Sequence, residues 1–154
     1  MPGPTTIVAR TTIDAPPDVV WALASDTARY AEWVENTLTV LRTDGTAGPG
    51  VTMEERTRVA GPWTAVTRWR VTEWDPPHRQ VHEGEGLALA SDMAVIIEVA
   101  PAGAGTLFTL TLRYAARFGA LGAAIDRVIR GSIARSQARS VQAFGAMVNA
   151  SAGG

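Results

Sequence analysis

Three side chains of this 154-residue chain are our candidates for transferring a proton or stabilising an oxyanion, and Glu55 is the most unusual of them. It stands in the middle of an alternating segment, residues 51–59, on the face that carries mainly apolar side chains. Burial of a carboxyl group raises its pKa unless a partner compensates, and a raised pKa suits a general acid or base. We therefore predict Glu55 as a catalytic residue. The alternatives are an ion pair with an arginine and a strand-edge position that reaches solvent.

His82 is the second candidate, and the direction of its side chain is open because the surrounding segment alternates without a clear apolar face. If Val81 points inward, Glu83 and Glu85 do so as well. If Gln80 points inward, His82 follows it and becomes a candidate general base. A solvated or hydrogen-bonded imidazole without a chemical role is the alternative.

Tyr114 is the third candidate, since it closes an apolar alternating row. Its hydroxyl can donate a hydrogen bond to a ligand carbonyl and so favour enolisation, a step of aldol-type ring closure. A core tyrosine bonded to the backbone is the alternative. Arg68 and Arg70 fall on a wetter strand face, and a register shift of one residue would turn them inward as oxyanion-binding cations.

Neither a metal nor a cofactor is expected. The chain has no cysteine, and its two histidines, His78 and His82, follow a Pro76-Pro77 turn instead of sharing a helix face. It contains no Gly-x-Ser-x-Gly motif and no complete nucleotide-binding glycine motif. We predict no metal, nucleotide or redox cofactor.

The composition is that of a folded globular protein, with 46% hydrophobic and 19% charged residues and a formal net charge of −1. All 14 basic residues are arginines, and they are dispersed, which argues against nucleic-acid binding. No apolar run approaches the ~20 residues of a membrane span, and the N-terminal residues do not have the pattern of a signal peptide. We expect a cytoplasmic protein with neither a nucleic acid nor a membrane as partner, as a monomer or homodimer.

The elements that must position the candidates can be placed by periodicity. A strand over residues 5–14 ends at a Pro16-Pro17 turn, and two short helices follow, the second capped by Asp26 or Thr27. Alternating segments separated by turn residues then predict six more strands. They cover approximately residues 37–43, 51–59, 65–72, 79–85, 93–99 and 108–114.

A single long helix of about 28 residues, from about 121 to 149, repeats apolar and small residues at helical spacing and would be ~42 Å long. The strands each carry one apolar face, so we predict an α+β domain in which a curved antiparallel sheet wraps around this helix. One helix is too slender to fill a curved sheet, so an internal cavity is expected. We predict that one set of inward-facing residues contacts an apolar ligand. They are Trp33, Met53, Thr57, Trp69, Met93, Val95, Ile97, Phe108, Leu110, Leu112, Ile129, Ile133 and Ser136.

Two segments resemble a known family. Residues 13–34, IDAPPDVVWALASDTARYAEWV, are similar to the opening of the polyketide cyclase/dehydrase family of the START-like, birch-pollen-allergen-like superfamily. Residues 71–84, VTEWDPPHRQVHEG, resemble the mid-sheet turn of the same family. The resemblance extends over about residues 5–148 and implies the helix-grip fold in a single domain, with its core at about 5–149. It implies no catalytic residue, because the matching positions are structural.

Two functions are expected on this basis. The first is a cofactor-independent cyclase, aromatase or dehydratase that folds a polyketide-type intermediate by confinement and uses one or two acid or base groups. The second is a non-catalytic carrier or sequestering protein for a hydrophobic metabolite or lipid. A membrane module is less favoured, because the apolar face of the terminal helix is needed for the core.

Overall fold

The computed structural model describes residues 3–152 and confirms the predicted helix-grip architecture. Seven antiparallel strands form one sheet in the order β1-β7-β6-β5-β4-β3-β2. The strands are β1 (Thr5–Ile13), β2 (Thr37–Thr43), β3 (Thr52–Ala60), β4 (Trp63–Asp75), β5 (Arg79–Glu85), β6 (Ala90–Ala102) and β7 (Gly105–Ala116).

Two short helices follow β1, as predicted: α1 (Pro17–Ala24) and a 3-10 helix (Thr27–Glu32). Pro17 begins α1, where a missing backbone N–H costs nothing. Asp26 occupies the position before the 3-10 helix, but its side chain makes no capping hydrogen bond. The Thr27 hydroxyl instead bonds to Gly45 and Thr43 at the far end of β2.

The long helix α2 (Gly119–Ala152) is held from both edges of the sheet. On one side it packs along β1 and β7. On the other side, the amide of Glu35 and the Nδ2 of Asn36 donate hydrogen bonds to Ser140 and Ser136 of α2, each at 3.0 Å. Since Asn36 directly precedes β2, the sheet grips the helix from its two opposite edge strands.

The alternation predicts an apolar inner face and a polar outer face of the sheet, but the outer face also buries apolar side chains. The inner face carries the core, but Val81, Ala94 and Ile96 form a small buried cluster on the outer face, where β5 pairs with β6. Strands β5 and β6 lie in the centre of the sheet, and Arg79 and Glu98 form an ion pair beside this cluster. Apolar stems of long side chains can cover such positions without a second layer.

Candidate functional site

The inner face of β3, β4 and β5 carries a row of polar side chains that face α2. Glu55 and Thr57 lie on β3, Thr67 and Trp69 on β4, and His82 on β5. The alternation that places Glu55 inward is kept by the pairing of β3 with β4, where Glu55 lies opposite Thr67. Arg68 and Arg70 point to the outer face, as predicted for the unshifted register.

Glu55 is 5% exposed, so it is not a strand-edge residue that reaches solvent. The Thr37 hydroxyl donates to its Oε2 at 3.0 Å, and none of the ion pairs found within residues 3–152 includes Glu55. Burial raises the pKa of this carboxyl to about 7, although the Thr37 hydrogen bond opposes the shift. Glu55 therefore exists in both protonation states near neutral pH.

Beside Glu55, three side chains form a hydrogen-bonded chain. The indole Nε1 of Trp69 donates to Thr67 Oγ1 at 3.0 Å, and the hydroxyls of Thr67 and Thr57 are 2.7 Å apart. The indole can only donate, so Thr67 accepts from it, and either hydroxyl can be the donor between Thr67 and Thr57. When Thr67 is the donor, the hydrogen of the Thr57 hydroxyl is free for a further group.

The open question of His82 is decided in favour of an inward side chain. It is 2% exposed, lies opposite Val71 of β4, and shares the inner face with Gln80. Its Nε2 donates to Gln80 Oε1 at 2.7 Å, since the Nε2 of the same Gln80 amide group donates to Ser25 at 3.0 Å and fixes the amide orientation. Burial lowers the pKa of His82 to about 4, so the imidazole is neutral at physiological pH. His78, by contrast, is exposed.

The Tyr114 hydroxyl already has a partner within the protein. It donates to Asp126 of α2, whose other carboxyl oxygen accepts from Thr5 at 2.8 Å and from Arg130. Burial and the Asp126 carboxylate raise the pKa of Tyr114. Burial opposes ionisation of Asp126, but the hydrogen bonds from Tyr114, Arg130 and Thr5 outweigh it and lower its pKa. This cluster joins α2 to β1 and β7.

Asp126 was missed in the sequence, because an aspartate flanked by an arginine in a helix resembles a solvated position. The detectable signal was its spacing. Gly122, Asp126 and Ile133 recur at intervals that place them on one side of a helix, and the structure buries Gly122 and Asp126 against the sheet.

The three candidate catalytic groups share the interior but do not meet at one point. Glu55 lies opposite Thr67 and His82 lies opposite Val71, four positions apart along β4. At a rise of about 3.4 Å per residue, this backbone offset is ~14 Å, in addition to two strand spacings. Tyr114 lies a further two strands from His82, on β7.

The predicted ligand contacts divide between two apolar clusters. Trp33, Met53, Ile97, Phe108 and Leu110 are in the larger cluster, with Val95 packed against it, whereas Met93, Leu112 and Ile133 belong to the smaller one. Trp69 packs against both clusters, and its indole bonds to Thr67 beside Thr57.

Two of the predicted ligand contacts on α2, Ser136 and Ile129, do not have the surroundings that were expected of them. Ser136 is buried, but its hydroxyl accepts the hydrogen bond from Asn36. The interior position predicted for Ile129 is wrong, because its side chain is 40% exposed. Asp126 takes the buried position on this turn of the helix, where it accepts hydrogen bonds from Thr5 and Arg130.

The expectation that α2 leaves the curved sheet unfilled is wrong for the C-terminal half of the helix. Phe144 stacks on Phe108 with ring centroids 4.3 Å apart and contacts Trp33 at 4.8 Å, and Val141 and Val148 are fully buried beside it. Large aromatic side chains fill the space that the helix backbone leaves. The predicted cavity therefore stays a prediction only for the region opposite Ile133, at the N-terminal half of α2.

Two buried polar atoms within residues 3–152 have no hydrogen-bond partner: Nε1 of Trp33 and Oε1 of Gln137. Gln137 lies on α2 between Ile133 of the smaller cluster and Val141 of the larger one. An unsatisfied buried donor or acceptor costs about 1–3 kcal/mol, which a polar group of a bound molecule can recover.

Two clefts on the surface each include predicted ligand contacts. One, of about 410 Å³, is lined mainly by outward-facing charged residues, among them Arg42, Glu54, Arg68 and Arg70. The other, of about 830 Å³, lies beside the connection between β5 and β6 and is lined in part by Arg113 and Arg117. Neither cleft is lined by α2, Glu55 or His82, but Met53 and Trp69 line the first and Met93 lines the second.

An antiparallel sheet that grips a long helix, with isolated polar groups on its inner wall, defines a helix-grip protein. Residues 4–147 match the family described as "polyketide cyclase / dehydrase and lipid transport", and the chain belongs to this family. Among curated proteins, an uncharacterized protein of Mycobacterium tuberculosis is 31% identical over 134 residues, which cover 84% of this chain and 91% of that protein.

Solved structures with the same fold have low sequence identity. The Zhui aromatase/cyclase from Streptomyces sp. R1128 is 16% identical with a TM-score of 0.80 and covers 96% of this chain and 94% of its own. TTHA0849 from Thermus thermophilus is 19% identical with a TM-score of 0.80, covering 96% and 99%. Ara h 8.0201 is 15% identical with a TM-score of 0.69, also covering 96% and 99%. At these identities the similarity establishes the fold alone.

Proposed function

We propose that the protein binds a hydrophobic, oxygen-bearing small molecule between the N-terminal half of α2 and the inner face of β3–β5, and catalyses cyclisation or dehydration of a polyketide-type intermediate. The observation that carries this proposal is Glu55, a buried carboxyl without a cationic partner whose pKa is near neutrality. Membership of the polyketide cyclase / dehydrase family supports this reaction class. The same groups can act without a cofactor.

Dehydration of a β-hydroxy ketone illustrates the chemistry that Glu55 can perform. The ionised carboxylate accepts the proton on the carbon next to the ketone, and the electron pair of that C–H bond forms the new C=C bond. The C–O bond to the β-hydroxyl breaks, and the protonated Glu55 returns its proton to the departing oxygen, so that water leaves. The Thr57 hydroxyl, oriented by Thr67 and Trp69, donates to the ketone oxygen as negative charge develops there.

The test compares Glu55→Gln with Glu54→Gln, a matched control because Glu54 is the adjacent carboxylate on the outer face. The probe is a β-hydroxy aryl ketone whose dehydration gives an enone that is followed by ultraviolet absorbance. We expect Glu55→Gln to lower kcat by about 100-fold or more, as is typical for loss of a general acid or base, and Glu54→Gln to leave it unchanged. Equal turnover by both variants would refute the role of Glu55.

A carrier protein is the second candidate, and one observation favours it. The imidazole of His82 and the hydroxyl of Tyr114 are both engaged in hydrogen bonds inside the protein, with Gln80 and Asp126. Of the three predicted catalytic groups, this leaves only Glu55, which accepts one hydrogen bond, from the Thr37 hydroxyl. A carrier needs apolar space but no reacting group. Native mass spectrometry distinguishes the two: a small molecule retained unchanged by the wild type and by Glu55→Gln, with no turnover by either, supports the carrier.

A further inference from the structure

One end of the molecule carries an unusual number of exposed apolar side chains. In an antiparallel meander, alternate connections lie at the same end of the sheet, so the β3–β4 turn, the β5–β6 loop and the β7–α2 connection share one end. The amide of Arg117 donates to the carbonyl of Leu89 at 2.9 Å, which joins the last two. We call this end, with the first half of α2, the hairpin end.

The exposed apolar side chains of the hairpin end come from separate segments. Trp63 at the β3–β4 turn is 72% exposed, Phe118 before α2 is 63% exposed, and Leu121 and Val128 on α2 are 68% and 83% exposed. Leu89 and Ile129 are also exposed. None of these residues belongs to the two inner apolar clusters, whereas Ile133 on the same half of α2 packs against the smaller one. The exposed residues are therefore available to a membrane surface without loss of core packing.

Every exposed charge on this half of α2 and the connection before it is positive. Between residues 117 and 138 the chain has four arginines, Arg117, Arg127, Arg130 and Arg135, and a single carboxylate, Asp126. Asp126 is buried and held by Arg130, so it does not face a partner. Three further carboxylates at this end, Glu83, Glu85 and Asp92, line the 830 Å³ cleft beside the β5–β6 loop together with Arg113 and Arg117.

We propose that the hairpin end docks on an anionic lipid bilayer. Protruding aromatic and aliphatic side chains that are flanked by arginines match the two requirements of interfacial binding, apolar insertion and attraction to acidic headgroups. A second copy of the chain fits less well, because pairing the first halves of two α2 helices would bring arginines against arginines. Docking places the first half of α2 and the neighbouring loops at the bilayer surface, independently of which small molecule the interior takes.

The test measures co-sedimentation of the full chain with phosphatidylcholine vesicles prepared with and without phosphatidylglycerol. We expect binding only to the anionic vesicles, weakened by added salt because surface attraction is screened. Removing two arginines in Arg127→Gln/Arg135→Gln should weaken binding about 30-fold, and Leu121→Ser/Val128→Ser about tenfold or more. A brominated lipid should quench the fluorescence of the wild type more than that of Trp63→Phe.

Matched controls come from exposed residues elsewhere: Val8→Ser and Arg10→Gln on the outer face of β1 should bind like the wild type. The proposal is overturned if the wild type does not sediment with anionic vesicles, or if the controls weaken binding as much as the hairpin-end variants. It is also overturned if ultracentrifugation shows a dimer that Leu121→Ser/Val128→Ser abolishes while vesicle binding is unchanged, since a second copy then covers this face.

Discussion

Glu55 and His82 face the same interior from β3 and β5, and burial moves their pKa values in opposite directions, to about 7 for the acid and to about 4 for the base. In both cases the neutral form is favoured, because both groups are removed from water and lack an opposite charge. The two shifts therefore have opposite effects on the pH dependence of folding.

The first prediction concerns Glu55. Its folded pKa is above its ordinary 4.5, so the native state binds a proton more tightly than the unfolded chain, and this stabilisation is lost as the pH rises from 4.5 to about 7. Glutamine does not ionise, so the Glu55→Gln variant does not lose this stability as the pH rises. The free energy of unfolding of the variant should therefore exceed that of the wild type by an amount that grows to at most about 3 kcal/mol across this range. Urea titrations at several pH values measure it, and a constant difference would contradict the prediction.

The second prediction has the opposite sign. The folded pKa of His82 is below its ordinary 6.5, so the neutral form stabilises the native state above pH 6.5, and this contribution is lost as the pH falls towards 4. His82→Gln cannot be protonated. Its free energy of unfolding relative to the wild type should therefore rise as the pH is lowered from 6.5 to 4. Glu55→Gln is the control for effects of acid on the whole protein. Its difference from the wild type in free energy of unfolding grows as the pH rises, whereas that of His82→Gln grows as the pH falls.

The third prediction concerns the junction of α2 with the sheet. Asp126→Asn keeps the shape of the side chain but removes the charge that accepts hydrogen bonds from Thr5, Tyr114 and Arg130. We expect a loss of about 2 kcal/mol in the free energy of unfolding, and about 1 kcal/mol for Tyr114→Phe, which removes one of the donors. Hydrogen exchange of residues 119–135 should accelerate in Asp126→Asn more than that of 140–150. Equal acceleration in both segments would mean that the cluster does not act locally.

The fourth prediction uses the close contact of Gly84 with Trp69. A Cβ atom at Gly84 would come within 2.4 Å of the Trp69 ring, so Gly84→Ala must displace the indole and weaken its hydrogen bond to Thr67. Overpacking of this kind costs about 1–3 kcal/mol and should change the tryptophan fluorescence. Gly131→Ala is the matched control. Its Cβ meets nothing closer than the Arg135 side chain at 3.5 Å, and alanine in a helix should stabilise the protein by up to about 1 kcal/mol.

The fifth prediction separates the two halves of α2. Phe144 is fully buried and stacked on Phe108, so Phe144→Ala should cost about 3–5 kcal/mol. Ile133 is only partly buried, so Ile133→Ala should cost less, but it should weaken binding of a hydrophobic fluorescent probe such as anilinonaphthalene sulfonate to the folded protein. A probe that binds both variants equally would argue against a ligand site near Ile133.

Much of the fold follows from the sequence alone. Alternation with a period of two identifies the inner residues of β3, β4, β6 and β7, because those strands carry a clear apolar face. Turn residues separate the strands, and a strand that follows another across a short turn pairs with it in antiparallel. The inward direction of Glu55 follows in the same way, since its neighbours on both sides along the face are apolar or small.

Only the tertiary structure decides the rest. In β5 both faces are polar, so the period of two does not say whether Val81 or His82 is inside, and pairing with Trp74 and Ile97 selects Gln80 and His82. The helical period of α2 likewise identifies an apolar stripe, but it does not say which part of that stripe the rest of the protein covers. In the structure Phe144 is buried and Ile129 is not. Local pattern determines which side chains share a face, whereas contacts between residues distant in the chain determine what that face meets.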